Sequence, residues 1–585
     1  MNLLDHARAK LREKFGYPDF RPPQIRAVQA VLAGRDALIV LPTGGGKSLC
    51  FQVPALVREG LTVVVSPLIS LMKDQVDTLE RKGVPAAFIN STLSSADVAN
   101  RMARAASGEL KMLYLAPERM EAGKTLESLL AIGVSMLAVD EAHCISEWGH
   151  DFRPSFRRIG ALRERLQQPQ TVALTATATP EVRKDIIRQL RLRDVEVVVG
   201  GFDRTNLTYH VVSAKNQTDK DKAAVRWLRE ENGAAVVYAP TRKAVERITA
   251  VLVKSNVRAV GYHGGLDEDL RRRTQDAFMT SRARVIVATN AFGMGIDKPD
   301  VRLVVHHAMP GTLESYYQEA GRAGRDGNPS TCVLLHMYPD RFTHEFFLSN
   351  THPDRQTIER VWKTLREITD STGLIALTAE DIAARVPGKL NEMKVAAALR
   401  VLVSAGGLSI ELPALNRVFV RLMATAERIS ANLQGDRALD REVLRSLWRL
   451  GGKTIQAGTA IDLDRLPRAL GGAYGVVAVL DRLQSEQYLA WTRTGGGFRL
   501  DPQSRDAGWL PVDWRALEAR GLADLSRLDA VQRYAQTRTC RRAFVLRYFG
   551  DPEARPTCTA CDRCLGIGHA TSPRTPRAKH PLRQH

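Results

Sequence analysis

Residues 37–48 restrict the fold of this chain more than any other segment of its sequence. A short apolar run at residues 37–41 leads directly into Pro-Thr-Gly-Gly-Gly-Lys-Ser at residues 42–48, and a helical pattern follows. A glycine-rich turn of this kind, placed between a strand and a helix, is typical of phosphate-binding proteins with a parallel β-sheet. The segment therefore predicts an α/β domain whose sheet is covered by helices on both faces.

The alternation of short β-branched runs and longer helical stretches continues far beyond this segment. It forms two series separated by Gly200 and Gly201, with runs at residues 37–41, 62–65, 112–115, 136–139 and 171–174, and then at residues 235–238, 257–262, 284–288, 301–305 and 331–335. Strands that alternate with helices form βαβ units in one parallel sheet. The pattern therefore predicts two α/β lobes, at residues 1–200 and 201–340.

The glycine-rich turn has the residue types that hold a nucleoside triphosphate. Glycines let backbone N–H groups approach the phosphates, and the following helix adds a favourable dipole. Lys47 is expected to reach the β- and γ-phosphates, and Ser48 is expected to ligate Mg²⁺. A purely structural turn would not require a Lys-Ser pair in this register. The predicted nucleotide contacts of the turn are Thr43, Gly44, Gly45, Gly46, Lys47 and Ser48.

Two carboxylates and two arginines are in positions that would complete a phosphoryl-transfer site. Asp140 and Glu141 follow the run at residues 136–139, so Asp140 is expected to hold Mg²⁺ and Glu141 to orient and polarise the attacking water. Arg322 and Arg325 belong to the second lobe, and we expect them to lie one helical turn apart. If the lobes close on ATP, these arginines become fingers that stabilise the transition state. An isolated pair of this kind is more often a solvated helix face.

The charge of the chain indicates a polyanionic partner. Lys and Arg number 84 against 64 Asp and Glu, which gives a net charge of +20 and a pI near 9.8. Such a basic surface usually meets nucleic acid or anionic lipid. Apolar runs fall short of the ~18 residues that span a bilayer, so we expect nucleic acid and no membrane. A charged N-terminus without a signal peptide and an odd number of cysteines favour the reducing cytoplasm.

Two stretches that precede the C-terminal cysteines are similar to each other. Residues 395–422 and 476–500 each combine an amphipathic helix with two short β runs around a turn. This order is the second half of a winged helix–turn–helix. We therefore predict a helical linker with a first winged helix at residues 341–425 and a second winged helix at residues 426–505. The alternative is two α+β modules that merely pack against the lobes.

Each of these stretches is expected to form a β-hairpin, with turns at residues 413–416 and 495–497. Trp491 and Phe498 lie on the two arms of the second hairpin, where they could stack on a terminal base pair and help to separate strands. Large aromatic side chains are usually buried, so the alternative is that both fill the core of the module. The sequence leaves open which hairpin, if either, separates the strands.

Four cysteines near the C-terminus have the spacing of a metal site. A Cys-x₂-Cys-x₂-Cys cluster with a further cysteine upstream fits a tetrahedral thiolate site for Zn²⁺, and a site closed by four sulfurs is structural. The zinc-binding module is expected at residues 506–568, followed by a basic disordered tail at residues 569–585. The other three cysteines are expected to be packed thiols. The predicted zinc ligands are Cys540, Cys558, Cys561 and Cys564.

Several of these segments carry a resemblance to a known family. The chain resembles superfamily 2 helicases, and within them the RecQ family, over roughly residues 10–340 and 526–565. The discriminating segment is the run at residues 144–154, which directly follows Asp-Glu-Ala-His at residues 140–143 and is similar to the aromatic-rich loop of that family. The other matching segments are residues 15–24, 42–48, 66–75, 140–143, 173–179, 289–297 and 318–325.

The resemblance implies two RecA-like parallel-sheet lobes and a helical zinc module with four cysteine ligands, which would flank the tandem winged-helix modules predicted from the residue patterns. It implies an ATP-dependent DNA helicase that moves 3′ to 5′ on single-stranded DNA and unwinds duplex. Single-stranded and branched DNA would be its partners, in repair or recombination at the cytoplasmic nucleoid. The residues to which the resemblance assigns roles are Tyr17, Arg21, Gln24 and Asp297 at the nucleotide, His143 and Gln318 in catalysis, and Trp148, His150, Phe152 and Arg153 in contacting DNA and coupling it to hydrolysis. Phe498 is assigned to DNA contact only from its place on the second predicted hairpin.

The order of the modules departs from the most familiar RecQ arrangement, in which the zinc module closely follows the second lobe. Here both candidate winged helices precede the zinc-binding cysteines, as in a subgroup of the family. Two other functions remain open, namely an ATP-driven translocase or RNA helicase of superfamily 2, and a DNA-binding scaffold without turnover. The scaffold is disfavoured because Lys47, Asp140, Glu141 and Arg325 are all present.

Overall fold

The structure is a computed structural model in which the chain divides into two compact units. One unit is formed by Met1–His344 together with Ala523–His585, and the other by Glu345–Leu522. None of the helices described is long and apolar enough to cross a lipid bilayer. The residues that the structure describes are 2–67, 69–90, 93–120, 123–149, 151–293, 298–369, 373–375, 377–411, 417–433, 437–456, 458–493, 497–501, 510 and 512–567.

The first lobe is built on a parallel sheet of seven strands. Its strands are β1 (Ala37–Val40), β2 (Leu61–Val65), β3 (Ala86–Ile89), β4 (Met112–Leu115), β5 (Val134–Val139), β6 (Gln170–Thr175) and β7 (Glu196–Val199). Its helices are α1 (Leu3–Lys10), α2 (Pro22–Leu32), α3 (Leu49–Val57), α4 (Ile69–Arg81), α5 (Ser95–Ala106), α6 (Pro117–Met120), α7 (Gly123–Ile132), α8 (Pro154–Arg157), α9 (Ile159–Arg165) and α10 (Pro180–Leu190), with a π-helical turn at Leu11–Phe15 and a 3₁₀ turn at Ala142–Ile145.

The strand order of this sheet is β3-β4-β2-β5-β6-β1-β7. β6 therefore lies between β1 and β5, in register Ala37↔Val172 on one side and Val139↔Ala173 on the other. Both β1 and β2 are buried along their whole length, as expected for strands covered by helices on both faces. Because the carboxyl ends of parallel strands meet at one edge, the loops that follow β1, β5 and β6 lie side by side at this edge.

The second lobe has a parallel sheet of six strands in the order β10-β11-β9-β12-β13-β8. Its strands are β8 (Leu207–Ser213), β9 (Ala234–Tyr238), β10 (Ala259–Tyr262), β11 (Val285–Ala288), β12 (Val301–His306) and β13 (Ser330–His336). Its helices are α11 (Gln217–Glu230), α12 (Arg242–Lys254), α13 (Glu268–Met279) and α14 (Leu313–Ala320), and α15 (Asp340–Thr351) follows the last strand. The prediction of two parallel α/β lobes is confirmed.

The zinc module packs on the second lobe through buried polar contacts. Its helices are α22 (Trp514–Gln536) and α23 (Arg541–Tyr548). The hydroxyl oxygens of Tyr534 and Tyr316 lie 2.8 Å apart, and both side chains are fully buried. Asp562 accepts a hydrogen bond from the Val211 amide at 3.1 Å and a second from the buried Arg541 guanidinium at 2.7 Å. The module is therefore fixed to strand β8 and helix α14 rather than attached by a loose linker.

The second unit contains two modules that combine helices with a three-stranded sheet, each with its own apolar core. The elements of the first are α16 (Arg355–Ile368), β14 (Leu374–Ile375), α17 (Ala379–Arg385), α18 (Glu392–Ser404), β15 (Leu408–Glu411) and β19 (Gly497–Leu500). The elements of the second are β16 (Arg417–Leu422), α19 (Ala426–Asn432), α20 (Ala438–Gly451), β17 (Thr459–Asp462), α21 (Gly472–Ser485) and β18 (Leu489–Arg493), with 3₁₀ turns at Gly452–Gln456, Leu463–Arg465 and Arg468–Leu470.

The two modules exchange strands, and the prediction of two local hairpins is wrong. β15 pairs with β19, and β16 pairs with β17 and β18, all antiparallel. The sequence predicts that β16 pairs with β15 and that β19 pairs with β18. In the structure, β16 instead pairs with β18 and β19 with β15, so each joins the sheet of the other module. In chain order, the second module is inserted between β15 and β19 of the first module. The two links, at residues 412–416 and 494–496, lie outside the described residues, as does the predicted tail at residues 569–585.

The exchange removes the geometric basis of the predicted strand-separating hairpin. Trp491 in β18 packs against the core of the second module, whereas Phe498 in β19 packs against the core of the first. The two aromatic side chains belong to different sheets and are not the two arms of one projecting hairpin. The alternative raised from the sequence, that both aromatics contribute to a core, is what the structure shows.

Candidate functional site

A cavity of about 560 Å³ lies in the cleft between the two lobes. It is lined by the loops after β1 and β5 of the first lobe and by α14 and the turn that follows it in the second. A neighbouring cavity of about 370 Å³ includes Arg21, Gln24 and Gly45. Asp297 lies outside the described residues. The residues predicted from the sequence that line the larger cavity are Tyr17, Thr43, Gly44, Gly46, Lys47, Ser48, Asp140, Glu141, Gln318, Arg322 and Arg325.

The glycine-rich loop is held by the side chain of Gln24. The Gln24 amide donates to the carbonyl oxygens of Gly45 at 3.0 Å and Gly46 at 3.2 Å, and its oxygen accepts from the Arg21 amide at 2.8 Å. Gly46 has φ +72°, and a Cβ at this position would lie 2.3 Å from Gln24 Nε2. The amide that the resemblance assigns to the adenine therefore binds the backbone of the protein at both ends in this structure.

Lys47, Asp140 and Glu141 form a charged group inside the cleft. Burial lowers the pKa of Lys47, although Glu141 and Asp140 act in the opposite direction. Burial also raises the pKa of Asp140 to about 6, and the neighbouring Glu141 charge adds to this effect. A buried carboxylate with a raised pKa is poorly compensated and gains from a bound cation. Ser48 and Asp140 both line the cavity, so their oxygens fit the hard ligand set that Mg²⁺ prefers.

A polar chain joins the carboxylates of the first lobe to α14 of the second. His143 Nδ1 lies 3.2 Å from Glu141 Oε2 and 3.0 Å from Thr175 Oγ1 at the end of β6. The Thr177 amide donates to Thr175 Oγ1 at 3.2 Å. Gln318 then donates from Nε2 to Thr177 Oγ1 at 3.2 Å. In the sequence, the family resemblance alone draws attention to the segment containing Thr175 and Thr177. The structure shows that this segment connects His143 with Gln318.

The arginine pair lies in a turn rather than on a helix. Helix α14 ends at Ala320, so the prediction that Arg322 and Arg325 are one helical turn apart is wrong. Within the turn, Gly324 has a positive φ of +56°. A Cβ added at Gly324 would lie 2.4 Å from Asn206 Nδ2. A turn places the two guanidinium groups at different depths, since Arg322 is buried and Arg325 is half-buried. Both nevertheless line the cavity.

Two residues that hold this turn were missed in the sequence. Arg204 donates from its guanidinium to the carbonyl oxygens of Ala323 and Gly324, each at 2.9 Å, and to that of Gly321 at 3.2 Å. Asn206 Nδ2 also donates to the Gly324 carbonyl, at 2.8 Å. The carbonyls that α14 and the turn leave without helical partners are satisfied in this way. Nothing in the local sequence of Arg204 and Asn206 indicates this function, because their partners lie far away in the chain.

The aromatic-rich loop is anchored to the first lobe at both ends. Ser146 is fully buried, and its hydroxyl donates to Asp185 at 2.6 Å and accepts from the Trp148 amide at 3.2 Å. Arg153 donates from Nη1 to the Pro67 carbonyl at 2.9 Å and pairs with Asp151. The guanidinium predicted to contact DNA is thus engaged within the protein. Trp148 and Phe152 are half-buried, and His150 lies outside the described residues.

The four predicted zinc ligands come together in the C-terminal module. The sulfur atoms of Cys540, Cys558, Cys561 and Cys564 all lie within 4.8 Å of one another. Backbone amides point at three of them, from Ala543 to Cys540, from Cys564 to Cys561 and from Cys558 to Cys564, at 3.3–3.4 Å. Hydrogen bonds to sulfur, chiefly from Cys558, lower the pKa of Cys561. A closed set of four sulfurs with amide donors fits a structural Zn²⁺.

Three family models match the chain. They are DEAD/DEAH box helicase at residues 21–186, helicase conserved C-terminal domain at residues 219–327, and RecQ zinc-binding at residues 515–565. With the two parallel-sheet lobes and the cleft between them, these matches define a superfamily 2 helicase. The probable ATP-dependent DNA helicase RecS of Bacillus subtilis (strain 168) is 40% identical over 376 residues, which cover 63% of this chain and 73% of that protein. The chain belongs to the RecQ family.

Other relatives match over a similar share of the chain. ATP-dependent DNA helicase RecQ of Bacillus subtilis (strain 168) is 46% identical over 372 residues, and that of Pasteurella multocida (strain Pm70) is 42% identical over 350 residues. The matched regions cover 63% and 60% of this chain, but only 62% and 55% of the length of those relatives. Among solved structures, the helicase Lhr of Mycobacterium smegmatis aligns with 69% of this chain and 58% of its own at a TM-score of 0.46 and 20% identity.

Proposed function

We propose that this protein is an ATP-dependent DNA helicase that moves 3′ to 5′ along single-stranded DNA and separates the duplex ahead. The observation that carries the proposal is the cleft in which Lys47, Asp140 and Glu141 of one lobe face Arg322 and Arg325 of the other. A hydrolysis site shared by two lobes makes the relative position of the lobes depend on the nucleotide. That dependence is what a translocating motor requires. RecQ relatives named as ATP-dependent DNA helicases support the choice of DNA.

In this proposal each charged group of the cleft has one part in hydrolysis. Lys47 neutralises the β- and γ-phosphates, and Glu141 orients and polarises the attacking water. Ser48 and Asp140 would hold Mg²⁺, which supplies charge neutralisation at the phosphates. Arg322 and Arg325 stabilise the charge that builds up on the transferring group. His143, Thr175 and Thr177 connect Glu141 to Gln318. Movement of the second lobe can therefore change the position of the Glu141 carboxylate.

We further propose that the aromatic-rich loop reports DNA binding to the site. The loop follows Asp140 and Glu141, which come directly after β5, and Trp148 and Phe152 offer ring faces on which bases can stack. A net charge of +20 supplies the sequence-independent attraction to phosphates. The zinc centre would be structural. Residues 1–200 and 201–340 would be the motor lobes, residues 341–505 the winged-helix region and residues 506–568 the zinc module, acting on single-stranded and branched DNA in repair or recombination at the cytoplasmic nucleoid.

Strand separation on defined substrates tests the proposal. The wild-type protein and Glu141→Gln should be compared on DNA duplexes with a 3′ or a 5′ tail, on forks, on four-way junctions and on RNA duplexes, at one stated salt concentration. Salt must be stated because binding carried by Lys and Arg falls steeply with salt, with a log–log slope of about −0.9 per neutralised phosphate on duplex DNA. We expect ATP-dependent separation of 3′-tailed DNA by the wild type alone.

The same measurements separate the alternatives. Separation of RNA rather than DNA duplexes would identify an RNA helicase. DNA-stimulated hydrolysis without strand separation would identify a translocase. DNA binding without any hydrolysis by the wild type would identify a scaffold, and each of these results would contradict the proposed function.

A further inference from the structure

Arg527 of the zinc module reaches the aromatic-rich loop of the first lobe. It lies on α22, and its guanidinium donates to the backbone carbonyl of Trp148 while pairing with the carboxylate of Asp524 one helical turn earlier. The Arg527 side chain is only 11% exposed. A planar guanidinium can serve a carboxylate and a carbonyl at the same time, because its donors point in fixed and different directions. The contact is therefore specific to arginine in its geometry.

This contact joins the zinc module to the middle of the loop, between two anchors that belong to the first lobe. The start of the loop is fixed by Ser146 through Asp185, and its end by Arg153 through the Pro67 carbonyl. Between these anchors, the described residues show Arg527 as the group from the zinc module that binds the loop backbone, and it binds at Trp148. The residue whose ring is proposed to stack on DNA is thus the one whose carbonyl is held.

Trp148 lines a groove with a mixed but mainly basic wall. The groove has a volume of about 760 Å³ and is formed by α10 of the first lobe, the start of α14 and the helices of the zinc module. Its cationic side chains are Lys184, Arg188, Arg527, Arg533 and Arg547, and its acidic ones are Glu181, Asp185 and Glu314. A half-buried indole beside several cations is a suitable contact for a nucleic-acid strand.

We propose that Arg527 is a positioning residue that holds Trp148 in the place where single-stranded DNA meets it. This inference rests on the proposed function. A loop already held in its binding position does not lose conformational freedom when DNA arrives, so DNA binds it more tightly. Without Arg527, Trp148 would be held only from the first lobe, through its own amide and Ser146, and DNA would have to fix the remaining freedom of its carbonyl side. The zinc module would in this way set the DNA concentration at which hydrolysis is stimulated.

ATP hydrolysis measured against single-stranded DNA concentration tests this role. For Arg527→Ala we expect the DNA concentration for half-maximal stimulation to rise roughly tenfold. The rate without DNA and the rate at saturating DNA should stay within about twofold of wild type, because Arg527 does not line the cleft that contains Lys47, Asp140 and Glu141. Arg527→Lys should behave like Arg527→Ala, since an ammonium group cannot bridge the carbonyl and the carboxylate with the same geometry.

Arg183→Ala is the matched control. Arg183 also joins the first lobe to the zinc module, by donating to the Phe549 carbonyl, and its guanidinium has no hydrogen bond to the described residues of the loop. If Arg527 acts only by holding the module to the lobe, both alanine variants should change DNA stimulation equally, and that result would overturn the proposal. The expected result is that Arg183→Ala lowers the melting temperature at least as much as Arg527→Ala, with half-maximal stimulation within about twofold of wild type.

A double variant and a salt series show whether Arg527 changes DNA stimulation through Trp148 or by contacting DNA phosphates directly. If Arg527 acts through Trp148, Arg527→Ala combined with Trp148→Ala should require no more DNA than Trp148→Ala alone. Additive effects would overturn the proposal. A role of Arg527 as a direct phosphate contact would be revealed by full rescue in Arg527→Lys and by a smaller salt slope in Arg527→Ala. A wild-type protein that DNA does not stimulate refutes the proposed function, whereas a stimulated wild type matched by Arg527→Ala refutes only this inference.

Discussion

Replacing Gly46 by alanine should disturb the nucleotide loop far more than replacing Gly44. Both glycines have a positive φ, +72° at Gly46 and +79° at Gly44, and this backbone region costs a residue with a Cβ roughly 1–2 kcal/mol. A Cβ at Gly44 would meet nothing within 4 Å, whereas one at Gly46 would lie 2.3 Å from Gln24 Nε2. The two substitutions therefore share the strain and differ in the clash.

The clash has a calculable cost because it displaces an amide that makes two hydrogen bonds. Gln24 donates to the carbonyls of Gly45 and Gly46, and such bonds contribute about 1 kcal/mol each. Gly46→Ala should then cost about 3–4 kcal/mol, against about 1–2 kcal/mol for Gly44→Ala. A domain of about 200 residues loses roughly 3 °C per kcal/mol. The expected falls in melting temperature are about 10 °C and about 4 °C.

Thermal unfolding of the nucleotide-free protein is the assay, because it separates the loop's own strain from any contact with ATP. Gln24→Ala provides the internal control, since it removes the amide with which the new methyl group collides. In that background Gly46→Ala should cost only the strain, so the double variant should be more stable than the sum of the single effects by about 2 kcal/mol. Equal melting temperatures for Gly44→Ala and Gly46→Ala, or strict additivity with Gln24→Ala, would refute the reasoning.

Three further predictions concern the charges and the metal. Lys47→Ala and Glu141→Gln should abolish ATP hydrolysis while single-stranded DNA binding, followed by fluorescence anisotropy, stays close to wild type; a near-normal rate in either variant would contradict the assignment. Cys561→Ser should lose the zinc found by elemental analysis of the wild type and become insoluble or protease-sensitive, because structural zinc contributes on the order of 10–16 kcal/mol; an unchanged zinc content and melting curve would exclude a structural metal. Since burial raises the pKa of Asp140 to about 6 in the folded protein, its ionisation costs stability above that pH and none below about pH 4. Without nucleotide or metal, Asp140→Asn should therefore melt several degrees higher than wild type at pH 7.5 and at the same temperature at pH 4, and a lower melting temperature at both pH values would show that the carboxylate is well compensated.

The sequence by itself identified the charged groups of the cleft to which hydrolysis is assigned. The loop containing Lys47, the pair Asp140 and Glu141, and the four zinc ligands are short patterns whose members are close in the chain, so local geometry limits what they can do. The functions of the residues that position these groups could not be predicted from short sequence patterns. Gln24 behind the loop, Arg204 under the arginine turn and Arg527 at Trp148 act on partners distant in sequence, and no spacing rule connects such pairs.

The same division holds for the fold. Buried β-branched runs alternating with helices determined two parallel lobes, because a strand covered on both faces must be apolar throughout. The runs that became β15, β16, β18 and β19 were also recognised as strands, but their partners were not. A strand's propensity depends on its own residues, whereas its pairing depends on which apolar core receives its buried face. Leu408 and Leu500 pack in one core and Val418 and Leu489 in the other, and only the tertiary structure decides between these cores, since a short strand carries too little information to choose its own partner.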